Sequence, residues 1–209
     1  MKHFLVLIIV VFTLSCKGQV TNEEERKVGG PCEDCVALMD YQKLNIQPLA
    51  VDTLPRFNEH EPKIKISGTV YKRDGSTPAE NTILYIYHVD RNGLYQPSDD
   101  PVGWEKRHGQ YRAWLKTGKD GKFTFYTFRP ASYPGTSEPQ HIHIYVKEPH
   151  TIPYYLDSYL FESDPLLTES EKSSQKDRGG SGIIKLEMRD GIYTANRDLI
   201  LGLNIPEYE

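Results

Sequence analysis

The run Gln140-His141-Ile142-His143-Ile144-Tyr145-Val146 sets two histidines two residues apart in a segment that reads as a β-strand. On a strand, residues i and i+2 share a face. His141 and His143 therefore project together while Ile142, Ile144 and Val146 pack behind them. Two imidazoles at that spacing suit zinc, copper, iron or nickel; the ordinary alternative is a pair of surface histidines on an edge strand. The other ligands have to come from elsewhere in the chain. No cysteine remains in this part of the sequence, and the other histidines are scattered (His60, His88, His108, His150), but there are 14 tyrosines. A phenol is a poor ligand while protonated, with a pKa near ~10. A strongly charged ion lowers that pKa and holds the phenolate. Two imidazoles joined by two phenolates would favour iron(III).

The elements that must position these groups are mostly strands. "IKISGTVY" alternates, with Ile64, Ile66 and Val70 in register. Asp74-Gly75 marks a turn, "NTILYIYHV" is β-branched and aromatic, and Asn92-Gly93 marks the next turn. "QYRAWLKT" and "KFTFYTF" flank Asp120-Gly121, a hairpin signal. "HIHIYV" and "YYLDSYLF" follow, then "GIIKLEM" and "IYTANRDLIL" around Asp190-Gly191. About eight short strands with regular turns predict an all-β sandwich. A short helix is expected over Cys35 to Tyr41, and another after Asp164 with Pro165 at its first position.

At this point a resemblance becomes specific. The segment from Gly68 to Phe161 resembles the intradiol ring-cleavage dioxygenases, the family of protocatechuate 3,4-dioxygenase and catechol 1,2-dioxygenase. It is carried by "SGTVYKRDGSTP", "ILYIYHVDRNGLY", "TGKDGKFTFYTFRPASYP", "QHIHIYV" and "YLDSYLF", in the family's order. The resemblance implies a β-sandwich of the intradiol type. It also implies an iron(III) site held by Tyr95, Tyr133, His141 and His143. Tyr95 would stay on the metal; Tyr133 would be displaced by a catechol and take up a substrate proton. The implied reaction inserts dioxygen between the two hydroxyl-bearing carbons of a catechol-type ring. Family members often form oligomers, so assembly is left open.

The surroundings depart from the family pattern. Where the family has an arginine three residues before the first histidine, this chain has Glu138, and a family glutamine aligns near Ser158, beside Asp157. Arg112 or Arg129 could supply a replacement cation, with Arg112 in "YRAW" the preferred catalytic candidate. Glu138 argues against a carboxylated catechol and for a neutral or amine-bearing one. It also makes a second reading serious: a metal- or ligand-binding surface lipoprotein on the same scaffold, altered in or lacking oxygenase activity. A cupin is a third reading, since Gly135, His141, His143 and Glu148 have the spacing of half a cupin motif. It fails on two counts: His150 is the last histidine, and Tyr155 stands where a glycine is needed.

The chain has 209 residues, is 38% hydrophobic and carries a net charge of −4. That supports one domain with extras, and the acidic balance without a basic run excludes nucleic acid as a partner. Phe4 to Leu14 is an apolar run behind Lys2, too short to span a bilayer and suited to a signal peptide over residues 1–15. It ends in Thr13-Leu14-Ser15-Cys16, similar to a lipobox, so Cys16 is expected to be acylated and to anchor the protein at the bacterial cell envelope, outside the cytoplasm. Residues 16–62 read as a tether and an N-terminal arm, and 63–209 as the β-domain. Cys32 and Cys35, in "GGPCEDC", read as a small structural disulfide, with half a zinc site as the competing reading.

Overall fold

A computed structural model of the protein describes residues 25–209. The expected signal segment, Cys16 and the first part of the tether lie outside these residues.

The core strands form where the sequence alternates. β2 (Lys63–Tyr71) buries every second residue. β5 (Lys122–Phe128) buries Phe123 and Phe125 on the same side of its sheet. The two pair antiparallel, Ile66 opposite Phe125. Around them β1 (Val51–Thr53), β10 (Glu187–Arg189), β11 (Ile192–Asn196) and β12 (Leu199–Ile200) complete a mixed sheet, ordered β1-β5-β2-β11-β10 with β12 also on β2. The second sheet is ordered β4-β3-β6-β8-β9, with β7 also on β6. Its members are β3 (Ile83–Tyr87), β4 (Arg112–Lys116), β6 (His141–Lys147), β7 (Tyr154–Tyr155), β8 (Tyr159–Phe161) and β9 (Ile183–Ile184). Ile64, Ile66, Val70, Phe123 and Phe125 from one sheet meet Leu84, Ile86, Ile142, Ile144 and Val146 from the other in the central core.

The second sheet is buried on its outer face as well, which is why β3 shows no polar alternation. Ile83, Tyr85, Tyr87, Trp114 and Tyr145 point outward into a second apolar cluster. That cluster is roofed by the N-terminal arm through Cys35, Ala37 and Leu38. The arm folds there as a 3-10 turn over Cys35–Met39 followed by α1 (Asp40–Lys43), with Cys32 and Cys35 joined in a disulfide. Further along, the arm crosses between the sheets: Leu49 bridges Leu115 of β4, and β1 then pairs with β5. The chain enters beside the far end of β6, where Arg26 bridges Thr151 and Lys147 Nζ donates to Glu25 at 2.5 Å.

Three expectations change. The Asp120-Gly121 turn does not make a hairpin, because β4 and β5 belong to different sheets. Gly121, at φ +68°, serves a sheet-to-sheet corner in which its carbonyl accepts from the Val70 N–H at 2.8 Å. The helix expected from Asp164 starts later, as α3 (Glu169–Ser174), with the Thr168 hydroxyl capping the Glu171 N–H. The Asp164 carboxylate instead accepts from the backbone N–H of Gln140 at 2.6 Å and of Leu166 at 3.0 Å. Finally, "YYLDSYLF", "GIIKLEM" and "IYTANRDLIL" each break into two strands. The break between β7 and β8 shapes the site.

Candidate metal centre

His141 and His143 lie at the start of β6 and project from the outer face of the second sheet, beside the arm-covered cluster rather than into the central core. The two tyrosines arrive on loops. Tyr95 follows the Asn92-Gly93 turn, which the Asp90 carboxylate organises by accepting from the Asn92 N–H at 2.7 Å and the Leu94 N–H at 2.9 Å. Tyr133 sits in the connection from β5 to β6, and the two loops touch. A Cβ on Gly93, which holds φ +79°, would stand 2.2 Å from the Ser132 carbonyl oxygen. Only glycine allows both the turn and this approach.

The four side chains converge on one point. The Tyr95 and Tyr133 hydroxyls are 2.5 Å apart, and Tyr95 is 2.8 Å from His143 Nε2. Tyr133 is 3.1 Å from His141 Nε2 and 3.3 Å from His143 Nε2, and the two Nε2 atoms are 3.1 Å apart. The orientation is set from behind. His141 Nδ1–H donates to the Pro139 carbonyl at 2.7 Å, so its Nε2 lone pair faces the cluster. Ser158 Oγ stands 3.4 Å from His143 Nδ1. Burial holds His143 well below the usual imidazole pKa, and so neutral with a free lone pair. Burial and the neighbouring phenol raise Tyr95; burial also raises Tyr133. Both phenols keep their protons unless a cation replaces them. Two neutral imidazoles and two phenols aimed at one point fit a hard, highly charged ion. Among the described residues no group of three or more His, Cys, Asp or Glu side chains could hold a metal, so half of this donor set depends on tyrosine.

Behind the donors stands an aromatic stack that sequence reasoning did not single out. Tyr87 lies directly across from His143 in the β3–β6 register. Its ring stacks on His143 at 4.5 Å and on His108 at 4.0 Å. Its hydroxyl meets that of Tyr145 at 2.7 Å. The Tyr85 hydroxyl donates to His108 Nδ1 at 3.0 Å, and Asp34 of the disulfide loop lies 3.6 Å from His108 Nε2. The alternation of Tyr85 and Tyr87 in "ILYIYHV" was the available signal; the strand register needed to use it is not written in the sequence.

Arg112 is corrected as a catalytic candidate. It lies on the same face of the sheet, but Tyr87 stands between it and His143. Its guanidinium is buried against Glu105 at 3.2 Å and Asp40 at 3.5 Å. Arg129 donates to Oε1 of Gln140, the residue before His141, at 2.6 Å and to Ser163 Oγ at 2.9 Å. Glu138 stands at the mouth of the site, its Oε1 3.9 Å from His141 Nε2.

The two mixed sheets packed face to face form the β-sandwich seen in solved intradiol dioxygenases, and the chain carries that fold. Among solved structures it is similar to the dioxygenase domain of a dioxygenase–carbohydrate-binding protein fusion from Streptomyces sp. SirexAA-E. The two share 21% identity over 74% of this chain and 90% of that one, with a TM-score of 0.55. It is also similar to catechol 1,2-dioxygenase from Acinetobacter sp. ADP1, at 15% identity over 80% of this chain and 67% of that one, with a TM-score of 0.56. Hydroxyquinol 1,2-dioxygenase from Pseudomonas putida DLL-E4 shares 19% identity over 88% of this chain and 68% of that one, with a TM-score of 0.52. No family model and no curated protein matches the sequence.

Proposed function

We propose that the protein is an iron(III)-dependent dioxygenase that cleaves a catechol-type ring between its two hydroxyl-bearing carbons. The observation that carries this is the convergence of Tyr95, Tyr133, His141 and His143, four residues from three separate segments, joined by five contacts of 2.5–3.3 Å between their hydroxyl and Nε2 atoms. The fold shared with catechol and hydroxyquinol 1,2-dioxygenases supports it. Bound iron(III) would supply the redox chemistry that lets the ring react with dioxygen.

The chain's own groups do the rest. His141 and His143 hold their Nε2 lone pairs on the site, fixed by Pro139 and Ser158. Tyr95 would be the phenolate that stays on the metal, with the Tyr87 ring behind it at 6.0 Å. Tyr133 enters on a loop; with iron bound it would be the phenolate that gives way to a catechol oxygen, and its oxygen would take up the proton of the catechol hydroxyl. Tyr87 and Tyr145 close the inner side of the site to water.

A second reading, a metal-binding protein without turnover, is favoured by Glu138, an acid at the mouth of a site that has to receive an anionic catecholate. Loading the purified protein with iron(III) and following oxygen uptake on a catechol panel decides between them. The dioxygenase reading expects a visible phenolate-to-iron band and oxygen uptake. Tyr95→Phe is expected to bleach or shift the band, with turnover down at least a hundredfold. A coloured protein that leaves every catechol untouched sinks the enzyme reading.

A further inference from the structure

We infer that the cleft beside the two histidines selects catechols bearing a positively charged substituent, such as a protonated amine; this rests on the dioxygenase reading for how the diol is placed. The cleft has two lobes of about 280 and 260 Å³, which share His143, Tyr155, Leu156 and Ser158 as their common floor. It exists because the strand breaks between β7 and β8, opposite His143. Tyr155 and the residues of the break line it while β7 and β8 hold the two ends of β6. Tyr155 offers a fixed ring: the buried Arg178 guanidinium lies 3.6 Å from its centre and donates to the Tyr155 carbonyl at 3.1 Å.

The charges along this cleft have one sign. Glu33 and Asp34 line one lobe, and Glu138, Asp157 and Glu171 the other; no lysine or arginine among the described residues lines either. Arg107 offsets the first pair, at 3.9 Å from Glu33 and 3.1 Å from Asp34. No lysine or arginine among the described residues forms an ion pair with Glu138 or Glu171, whereas the buried Asp157 accepts from the Lys176 N–H at 3.0 Å and is offset by the nearby Arg178 and Arg197. Glu138, with a side chain 54% exposed, reaches the histidine end of the lobe. Glu171, on α3, closes the other end. A catechol with its diol at the four donors therefore extends its substituent past the carboxylates of Glu138 and Glu171. An ammonium there gains from both, and a carboxylate is repelled by both, through groups exposed enough for salt to screen the effect.

Gallium(III) loads the site without redox activity, so binding can be read without turnover. Calorimetry on the gallium-loaded protein would compare 4-(2-aminoethyl)catechol, 4-methylcatechol and 3,4-dihydroxybenzoate. The expected order is that one, with Kd at least tenfold tighter for the amine than for the carboxylate at low salt. The gap should shrink at 0.5 M NaCl, and both Glu138→Gln and Glu171→Gln should cut it threefold or more. An equal or reversed order, absence of binding by all three, or a gap indifferent to salt and to both substitutions overturns the inference. Oxygen uptake by the iron-loaded protein separates the two claims. Retained binding order without uptake sinks the dioxygenase reading alone; uptake fastest on the carboxylate sinks the selectivity alone.

Discussion

Arg112 shows what a buried charge does when it is not part of the chemistry. It is 7% exposed, Asp40 is 2% exposed and Glu105 is 9% exposed, so the three form a closed ionic group. Its acids are also engaged by backbone: Asp40 accepts from the Trp104 N–H at 2.7 Å and Glu105 from the Ser98 N–H at 2.9 Å. The group ties α1 of the arm to β4 and to α2 (Glu105–His108). Arg112→Met would leave two acids buried without their cation and is expected to cost about 3 kcal/mol in urea unfolding. At temperatures where the variant stays folded, iron affinity should hold within about threefold, because Tyr87 screens the donors from this position. The donors themselves were legible from residue order. Tyr95 and Tyr133 each fall at a motif position ahead of the HxH strand, and their partners could be named without a structure. Arg112 was not legible in the same way. Which neighbour lies between two residues on a sheet face depends on strand register, and register is set by pairing across the sheet rather than by local pattern.

Among the elements, the break between β7 and β8 matters most to the site. β9 runs parallel to β8 and approaches it closely at Gly182, where a Cβ would stand 2.1 Å from the Ser158 carbonyl oxygen. Ser158 is the residue whose hydroxyl faces His143. Gly182→Ala is thus expected to push Ser158 off its place, costing about 1–3 kcal/mol as overpacking does, and to weaken iron binding as His143 loses its support. Unchanged iron affinity in a destabilised variant would show that Ser158 does not position the histidine. Strand existence was readable from the alternation of β2 and β5 and from the β-branched run of β3. The breaks were not, because "YYLDSYLF" is apolar enough to pass for one strand. Nor was the corner at Asp120-Gly121: the same turn chemistry serves a hairpin or a crossing between sheets, and only the partners chosen by β4 and β5 tell them apart.

For the molecule as a whole, burial on both faces of the second sheet places several histidines out of water. His88 is fully buried; its Nδ1–H donates to the Val89 carbonyl at 2.7 Å and its Nε2 accepts from the Thr127 hydroxyl at 2.6 Å. Burial lowers its pKa to about 4, burial lowers His108 to about 4 as well, and burial holds His143 well below the usual imidazole range. An unfolded histidine titrates near ~6.5, so between pH 6.5 and 4 the unfolded chain binds more protons than the folded one. Stability then rises with pH through that window and levels off below it. His88 alone should remove about 3 kcal/mol as pH falls from 7 to 4. Urea midpoints taken across this range should decline, and His88→Gln should flatten the slope by about one proton. A slope unchanged in His88→Gln would assign the acid sensitivity to other groups.

The described chain begins at the far end of β6, away from the donors. Along β6, His141 and His143 lie about 20 and about 13 Å from Lys147, where Glu25 meets it. An attachment at that end would leave the cleft at the opposite end of the strand, where small aromatic molecules could meet it from solution without passing the point of attachment.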